Sequence, residues 1–243
     1  AYYVVNKTMN DFFDQILSFA APHICKGCGK QENSLCKSCY FNIVENIYDK
    51  CVICEIPQPP NIISKNGNLC AGCCRLNDFS RIFLVHERKG ALLRLLDDYK
   101  YNSERATSAI LAKMLDCALP AFDQKTTVSY ITTSSPHIRE RGFDHMKIVA
   151  EKFAKIRGLK CEKLLFRESS DSQHDKNARE RKLLADKMFS VRPNPPAKIL
   201  LLDDIWTTGA TMSAATKLLL DAGAEEVSLG IVAKQVGLHR KDM

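Results

Sequence analysis

The chain has no apolar run near the ~18 residues that a membrane-spanning helix needs. Its N-terminus has no basic stretch ahead of an apolar segment, and "ILSFAA" is too short for the core of a secretory signal. With no transmembrane segment and no leader, the sequence reads as cytoplasmic. Glycine and proline, 11 and 9 of 243 residues, are too scarce for a collagen-like or low-complexity chain. The apolar share of 45% and charged share of 26% are those of an ordinary globular protein, long enough for two modest domains or one large one. The formal net charge of +7 is mild but uneven. Residues 147–187 carry twelve Lys/Arg against seven Asp/Glu, a face suited to phosphate or nucleic acid, or simply to water.

What is abundant is cysteine. Nine of the 11 lie before residue 75, so composition already divides the chain. Four Cys-x-x-Cys pairs follow one another: Cys25 with Cys28, Cys36 with Cys39, Cys51 with Cys54, and Cys70 with Cys73. A two-residue spacer lets both thiolates reach one ion, and two such knuckles complete the tetrahedral shell of structural zinc. In a reducing compartment this pattern points to metal rather than disulfides. The first two pairs are expected to form one site and the last two another, with a single occupied site as the alternative. Complete thiolate shells leave no position for a reacting water, so the zinc reads as structural, supplying folding free energy that a small module lacks. Gly27, Gly29 and Gly72 suit the knuckle turns, where positive φ is often needed. His23 lies near the first knuckle but is not required as a ligand. Cys74 reads as a spare thiol, and Cys117 and Cys161 as core residues. Ahead of the module, Phe12, Phe13, Ile16, Leu17 and Phe19 mark a short amphipathic helix. The strand-like opening "AYYVVNKT" is detached from that pattern, and Met9 is a candidate start.

From about Asp78 the pattern alternates between helix and strand. "GALLRLLDDYKY" and "ERATSAILAKMLDCAL" have helical spacing, the latter closed by Pro120. "TVSYITT" reads as a strand and "SSPHIRERGFD" as a loop. "HMKIVAEKFAKIRG" reads as a helix with Ile148, Val149, Phe153 and Ile156 on one face and Gly158 as its stop. "RESSDSQHDKNARERK" has no apolar period and reads as an exposed excursion. "KILLLDD" is a buried strand, "TMSAATKLLLDAG" a helix, and "EVSLGIVA" a further strand. Strand, helix and strand in that order give an α/β fold with an open parallel sheet. The expected division is a zinc-ribbon module over residues 10–77 and an α/β domain over residues 78–243.

Asp203 and Asp204 are expected at the carboxyl end of the "ILLL" strand, where open parallel sheets bind ligands. "TTGAT" makes the turn into the next helix, whose unpaired N–H groups and dipole favour an anion. Thr207, Thr208 and Thr211 add hydroxyl donors, Ala210 its backbone N–H, and Gly209 the absence of a Cβ that would block close approach. Acids for sugar hydroxyls and a cradle for phosphate, side by side, describe a ribose 5-phosphate unit.

Here the residues resemble a known pattern. "ILLLDDIWTTGATM" is similar to the PRPP-binding signature of type I phosphoribosyltransferases. Together with "PHICKGCG", the later Cys-x-x-Cys pairs, "RERGFD" and the Gln and Arg of "QHDKNARER", it resembles the ComF family of competence proteins from about residue 11 onward. That resemblance implies two N-terminal zinc ribbons ahead of a sheet of the type I phosphoribosyltransferase kind. It implies that Asp203 and Asp204 hold the ribose hydroxyls with Mg²⁺ and carry any catalysis, and that Thr207 to Thr211 hold the 5-phosphate. Ser135 and Pro136 would lie near pyrophosphate. Arg139 and Arg141 would be anion ligands, and Gln173 and Arg181 part of a mobile hood.

Three departures fall in the reacting half of the site: Asp144-His145 where the family usually has Asn-Gln, "TTSSP" at a strand end, and Leu184 where Asn is common. The resemblance further implies a role in DNA uptake for natural transformation, with single-stranded DNA and other uptake proteins as partners. Tyr40, Phe41, Tyr99, Tyr101, Phe143 and Trp206 are aromatics available for base stacking or, more simply, for a core. Trp206 is the one placed to line the ligand cleft. The alternative is an active phosphoribosyltransferase with an unidentified acceptor.

Overall fold

A computed structural model of the chain describes residues 24–101, 107–133, 138–139, 142–167 and 188–236. The expectations for the N-terminal helix, His23, Ser135, Pro136, Arg141, Gln173, Arg181 and Leu184 lie outside these residues.

Five parallel strands make the main sheet, in the order β1-β7-β6-β2-β3. They are β1 (Arg81–Glu87), β2 (Thr127–Tyr130), β3 (Lys160–Cys161), β6 (Lys198–Trp206) and β7 (Glu226–Lys234). The α/β class and open parallel sheet expected from the sequence are thus present. β6 and β7 pair from Lys198↔Glu226 to Trp206↔Lys234. Being interior and covered on both faces, they read as nearly unbroken apolar runs rather than alternating ones. β1 was not singled out in the sequence, although Ile82, Phe83, Leu84 and Val85 are all buried. A separate antiparallel pair, β4 (Leu165–Arg167) with β5 (Phe189–Val191), also escaped the pattern, because three residues show no period.

Helices lie on both faces. α4 (Gly90–Tyr101), α5 (Thr107–Ala118) and α6 (His145–Arg157) share one apolar cluster with Val128, Tyr130, Leu200 and Leu202. α7 (Ala210–Asp221) shares the other with Ile199, Leu201, Leu229 and Ile231. α6 has clear start and stop signals. Asp144 caps it by accepting from the Lys147 N–H, and Gly158 ends it in the left-handed region at φ 66°. Its buried face is Met146, Val149, Ala150, Phe153 and Ala154; Ile156, expected there, is 46% exposed. β2 leads through α6 outward to β3, whereas β6 leads through α7 the other way to β7. The crevice between the carboxyl ends of β2 and β6 is therefore the topological switch point of the sheet.

The cysteine-rich segment contributes α1 (Lys37–Val44), α2 (Pro60–Asn66) and α3 (Ala71–Cys74). Cys25, Leu35, Cys36 and Ile43 join the first cluster, and Tyr48, Cys51, Val52 and Leu69 the second, so both cores cross the composition boundary near residue 77. Backbone bonds tie this segment to β1, an edge strand that would otherwise present unpaired groups. Tyr48 N–H donates to Val85 O (3.0 Å) and Asn68 N–H to Ile82 O (2.6 Å). Buried Asn68 donates from Nδ2 to Tyr48 O (2.6 Å) and accepts from Leu84 N–H (2.9 Å). Gly67 permits this approach: its φ is 73°, and a Cβ there would strike the Ile82 carbonyl. Gly67→Ala is expected to cost about 2 kcal/mol or more, seen as a lower chemical-denaturation midpoint and faster release of metal from the adjoining four-cysteine group.

Candidate functional site

Two four-cysteine groups assemble as the sequence predicts. The sulfurs of Cys25, Cys28, Cys36 and Cys39 lie within 4.8 Å of one another, as do those of Cys51, Cys54, Cys70 and Cys73. Cys28 Sγ is 3.7 Å from Cys36 Sγ, and Cys54 Sγ is 3.6 Å from Cys70 Sγ. A tetrahedral ion with Zn–S bonds of ~2.3 Å requires sulfurs about 3.8 Å apart, so both sets fit zinc. The first knuckles share one backbone pattern: Gly29 N–H donates to Cys25 O, and Glu55 N–H to Cys51 O, each at 2.9 Å. Both Gly29 (φ 76°) and Glu55 (φ 61°) are left-handed there. A non-glycine is held at the second position by an ion pair from Lys234 to Glu55. Gly27 is needed for a different reason from the one expected, since a Cβ would run into Cys39 Sγ. Gly72 has no positive φ either.

The thiols of each set differ in acidity. Burial opposes ionisation of Cys25, but N–H donors from Cys36, Cys28 and Gly27 outweigh it and pull the thiol down to about 6. Cys51 likewise falls to about 7 despite burial, through the N–H groups of Cys54, Cys70 and Ile53. Burial and their ligand-set neighbours push Cys39 and Cys73 up to about 12. Four thiolates without a cation oppose one another, and a divalent ion removes that conflict.

Of the remaining thiols, Cys74 belongs to neither group, the spare thiol expected, and is exposed. Cys117 is also exposed, not core, and contacts the Tyr40 hydroxyl at 3.3 Å. Cys161 is partly buried against the core, and burial pushes its thiol up to about 11. Metal analysis is expected to give two zinc ions per chain. A thiol reagent should modify Cys74 and Cys117 quickly, and the eight cluster cysteines only after chelation.

The second site lies at the switch point. β6 runs past the two acids to Trp206, so Asp203 and Asp204 sit inside the strand rather than at its end. "TTG" then turns into α7. Thr207, Thr208 and Ala210 are exposed and Thr211 is half-buried. No acid occupies the first turn of α7, and no N-cap side chain closes it; Thr208 Oγ1 accepts weakly from the Ala210 N–H at 3.4 Å. A helix of 12 residues with an open N-terminus favours an anion there. Gly209 adopts φ 80°, and a Cβ on it would meet the indole of Trp206. Glycine thus serves the packing of the loop on Trp206. That ring is 4% exposed and edge-on to Phe79 at 6.1 Å, so it belongs to the core and does not line the cleft. Arg139 is exposed.

The sequence missed what surrounds Asp204. Lys100 Nζ lies 2.6 Å and His145 Nε2 2.7 Å from the same oxygen, Asp204 Oδ2. Behind the imidazole, Thr133 Oγ1 is 2.9 Å from His145 Nδ1 and also donates to Asp144 Oδ1 at 3.1 Å. The Asp144-His145 departure and the Thr133 of "TTSSP" are therefore parts of one network. Lys100 carries no local signal, because it ends an amphipathic helix far away in the chain. Burial works against the Asp204 charge, but the His145 hydrogen bond and the Lys100 ammonium overcome it and hold the carboxyl well below the usual range. Asp203 moves the other way: burial and then the adjacent Asp204 charge push it well above that range.

A Mg²⁺ ion shared by both carboxylates does not fit this arrangement. Unit charges about 4 Å apart interact by about 4 kcal/mol at an effective dielectric of about 20, and a divalent ion doubles the repulsion from Lys100. The opposite shifts give opposite stability effects. A raised carboxyl destabilises the fold above its unfolded value of 3.8, so Asp203→Asn is expected to raise the melting temperature at pH 7, with the gain fading as pH falls towards 3.8. The lowered Asp204 contributes stability above 3.8 that is lost in acid. Asp204→Asn strands Lys100 and should cost about 3 kcal/mol at neutral pH.

Comparison with known proteins covers the same region. Residues 138–242 match the family model described as "Phosphoribosyl transferase domain", a span that includes His145, both acids and the loop into α7. The chain is also 31% identical over 131 residues, 53% of its length, to the competence protein ComFC of Streptococcus pneumoniae (strain ATCC BAA-255 / R6). The match spans 57% of that relative. Residues 138–242 are thus similar to a phosphoribosyl transferase domain and follow two four-cysteine groups, the order that the resemblance to the ComF competence proteins implied.

Proposed function

We propose that this protein binds PRPP or a similar ribose 5-phosphate ligand at the switch point and serves DNA uptake in natural transformation. The observation that carries the ligand is the open N-terminus of α7. Exposed Thr207 and Thr208 and an acid-free first turn stand a few residues from a half-buried carboxyl, Asp203. In this reading the N–H groups of the loop, with Thr211 at the start of α7, take the 5-phosphate, and Asp203 takes a sugar hydroxyl. Arg139, Arg141 and Arg181 are proposed anion ligands. Mg²⁺ would accompany PRPP on its own pyrophosphate. Both four-cysteine groups would hold structural zinc.

Relatedness to a competence protein supports the biological role, and the net charge of +7 suits single-stranded DNA as a partner. Of the candidate stacking aromatics, Tyr99, Phe143 and Trp206 are buried, whereas Phe41 is 52% exposed beside Tyr40. Phe41 is thus the proposed platform. A cytoplasmic location is part of the same proposal; no helix among the described residues is long and apolar enough to cross a membrane. Transfer of the ribosyl phosphate to an acceptor is the second reading, favoured by the phosphoribosyl transferase domain.

Trp206 is the single tryptophan and packs on Gly209, so its fluorescence reports the phosphate loop. Titration with PRPP or ribose 5-phosphate is expected to change that emission saturably. Gly209→Ala should weaken binding by about tenfold or more while circular dichroism is unchanged. An emission indifferent to both ligands, with calorimetry also silent, refutes the reading. Pyrophosphate release from PRPP only when a particular acceptor is added would establish the transferase.

A further inference from the structure

Asp204 does not have the surroundings of an acid waiting for a ligand. Its side chain is 10% exposed, and those of Lys100 and His145 are 17% and 9% exposed. Both donors converge on Oδ2. The imidazole is itself fixed from several elements. Thr133, which follows β2, meets Nδ1; Asp144, the cap of α6, holds Thr133. From α4, the Tyr99 hydroxyl donates to the His145 carbonyl at 2.7 Å, and the Tyr99 ring lies edge-on to the imidazole at 6.0 Å. β6, α4, α6 and the loop after β2 thus converge on one carboxylate oxygen.

Asp203 is different. It is half-buried, its Oδ1 accepts from the Asp204 N–H at 2.9 Å, and no ion pair reaches it among the described residues. The two neighbouring acids are therefore unequal: Asp204 is paired with a protein cation through Oδ2, and Asp203 has no such partner among the described residues.

We propose that Lys100 and His145 stand in for a divalent cation at Asp204, so that the site takes the sugar of a ribose 5-phosphate ligand on Asp203 alone, with no metal ion shared between the two carboxylates. The inference rests on the ribose 5-phosphate reading for its ligand but not for its metal chemistry. Lys100 supplies the charge that would otherwise recruit a metal. His145 fills a second acceptor position, and Thr133 and Asp144 keep its ring from turning away. Lys100 and His145 are positioning residues in this arrangement, because they act on the ligand through the acid pair.

Two measurements on the full, zinc-loaded chain test the proposal. In the first, Mn²⁺ is titrated without sugar and free ion is followed by electron paramagnetic resonance. The wild type is expected to leave the Mn²⁺ signal untouched. Lys100→Met and Lys100→Gln, each checked for intact fold by circular dichroism, should create a site that disappears when Asp204→Asn is added. Stoichiometric Mn²⁺ uptake by the wild type that is lost in Asp204→Asn overturns the proposal. So do folded Lys100 variants that gain no Mn²⁺.

In the second, ribose 5-phosphate is titrated by calorimetry in Mg²⁺-free and Mg²⁺-containing buffer. Lacking pyrophosphate, it makes any metal effect a report on the acids. Wild-type affinity should agree within about twofold between the buffers, and Asp203→Asn should weaken it by about tenfold in both. A tightening of about tenfold in Mg²⁺ that depends on Asp204 overturns the proposal. Failure of ribose 5-phosphate and PRPP to bind at all would instead remove the functional reading, and the Mn²⁺ titration would still decide the clamp.

Discussion

A carboxylate buried on an interior strand of an apolar sheet keeps its charge only if the fold brings a cation to it. In this protein that constraint joins elements far apart in the chain. Asp204 on β6 holds Lys100 from the end of α4 and His145 from the start of α6, each within 2.7 Å. Removing water from these groups is costly, and attraction at low dielectric offsets the cost only with close, well-aligned partners. The same closeness sets the positions of Thr133, Asp144 and Tyr99 behind the imidazole. The crevice at the switch point is thus organised around one oxygen, and the loop into α7 is placed relative to it by β6.

Around this centre, the remaining parts have separable physical tasks. Interior strands β6 and β7 provide a rigid platform because they are buried on both faces. Gly209 and Trp206 lock the loop to the platform by direct packing, so the conformation of the turn into α7 depends on the second core. The four-cysteine segment packs at the β1 edge of the sheet, where the stretch around Tyr48 and Asn68 satisfies the backbone of β1. Lys234 links the two regions. It ends β7 opposite Trp206 and pairs with Glu55, the left-handed residue of a cysteine knuckle. Metal ligation and the sheet are in this sense parts of one packed body, since cysteines of both groups belong to the two apolar cores.

Much of this was legible along the chain wherever the signal is local. Cys-x-x-Cys spacing is a local geometric statement, and both sulfur clusters follow from it. Asp144 and Gly158 mark the ends of α6 because capping depends on a few adjacent residues. The acid pair and the small-residue turn likewise appear as one word in the sequence. Errors arose where a side chain's role depends on distant neighbours. Trp206 borders the loop in sequence yet is held inward by Phe79, and Cys117 has apolar neighbours in sequence yet faces outward. β4 and β5 are too short for any period to show.

The sequence by itself determined the chemistry on offer: eight paired cysteines, a small-residue turn at a helix start and two adjacent acids beside it. Tertiary structure alone decided how that chemistry is apportioned. Neither the Asp144-His145 departure nor Lys100 has meaning until the folding of α4 and α6 against β2 and β6 brings them to Asp204. Two acids adjacent in sequence are nearly equivalent in an extended chain. Burial separates them, because one is given an ammonium and an imidazole, while its charge and the loss of water drive the other towards neutrality.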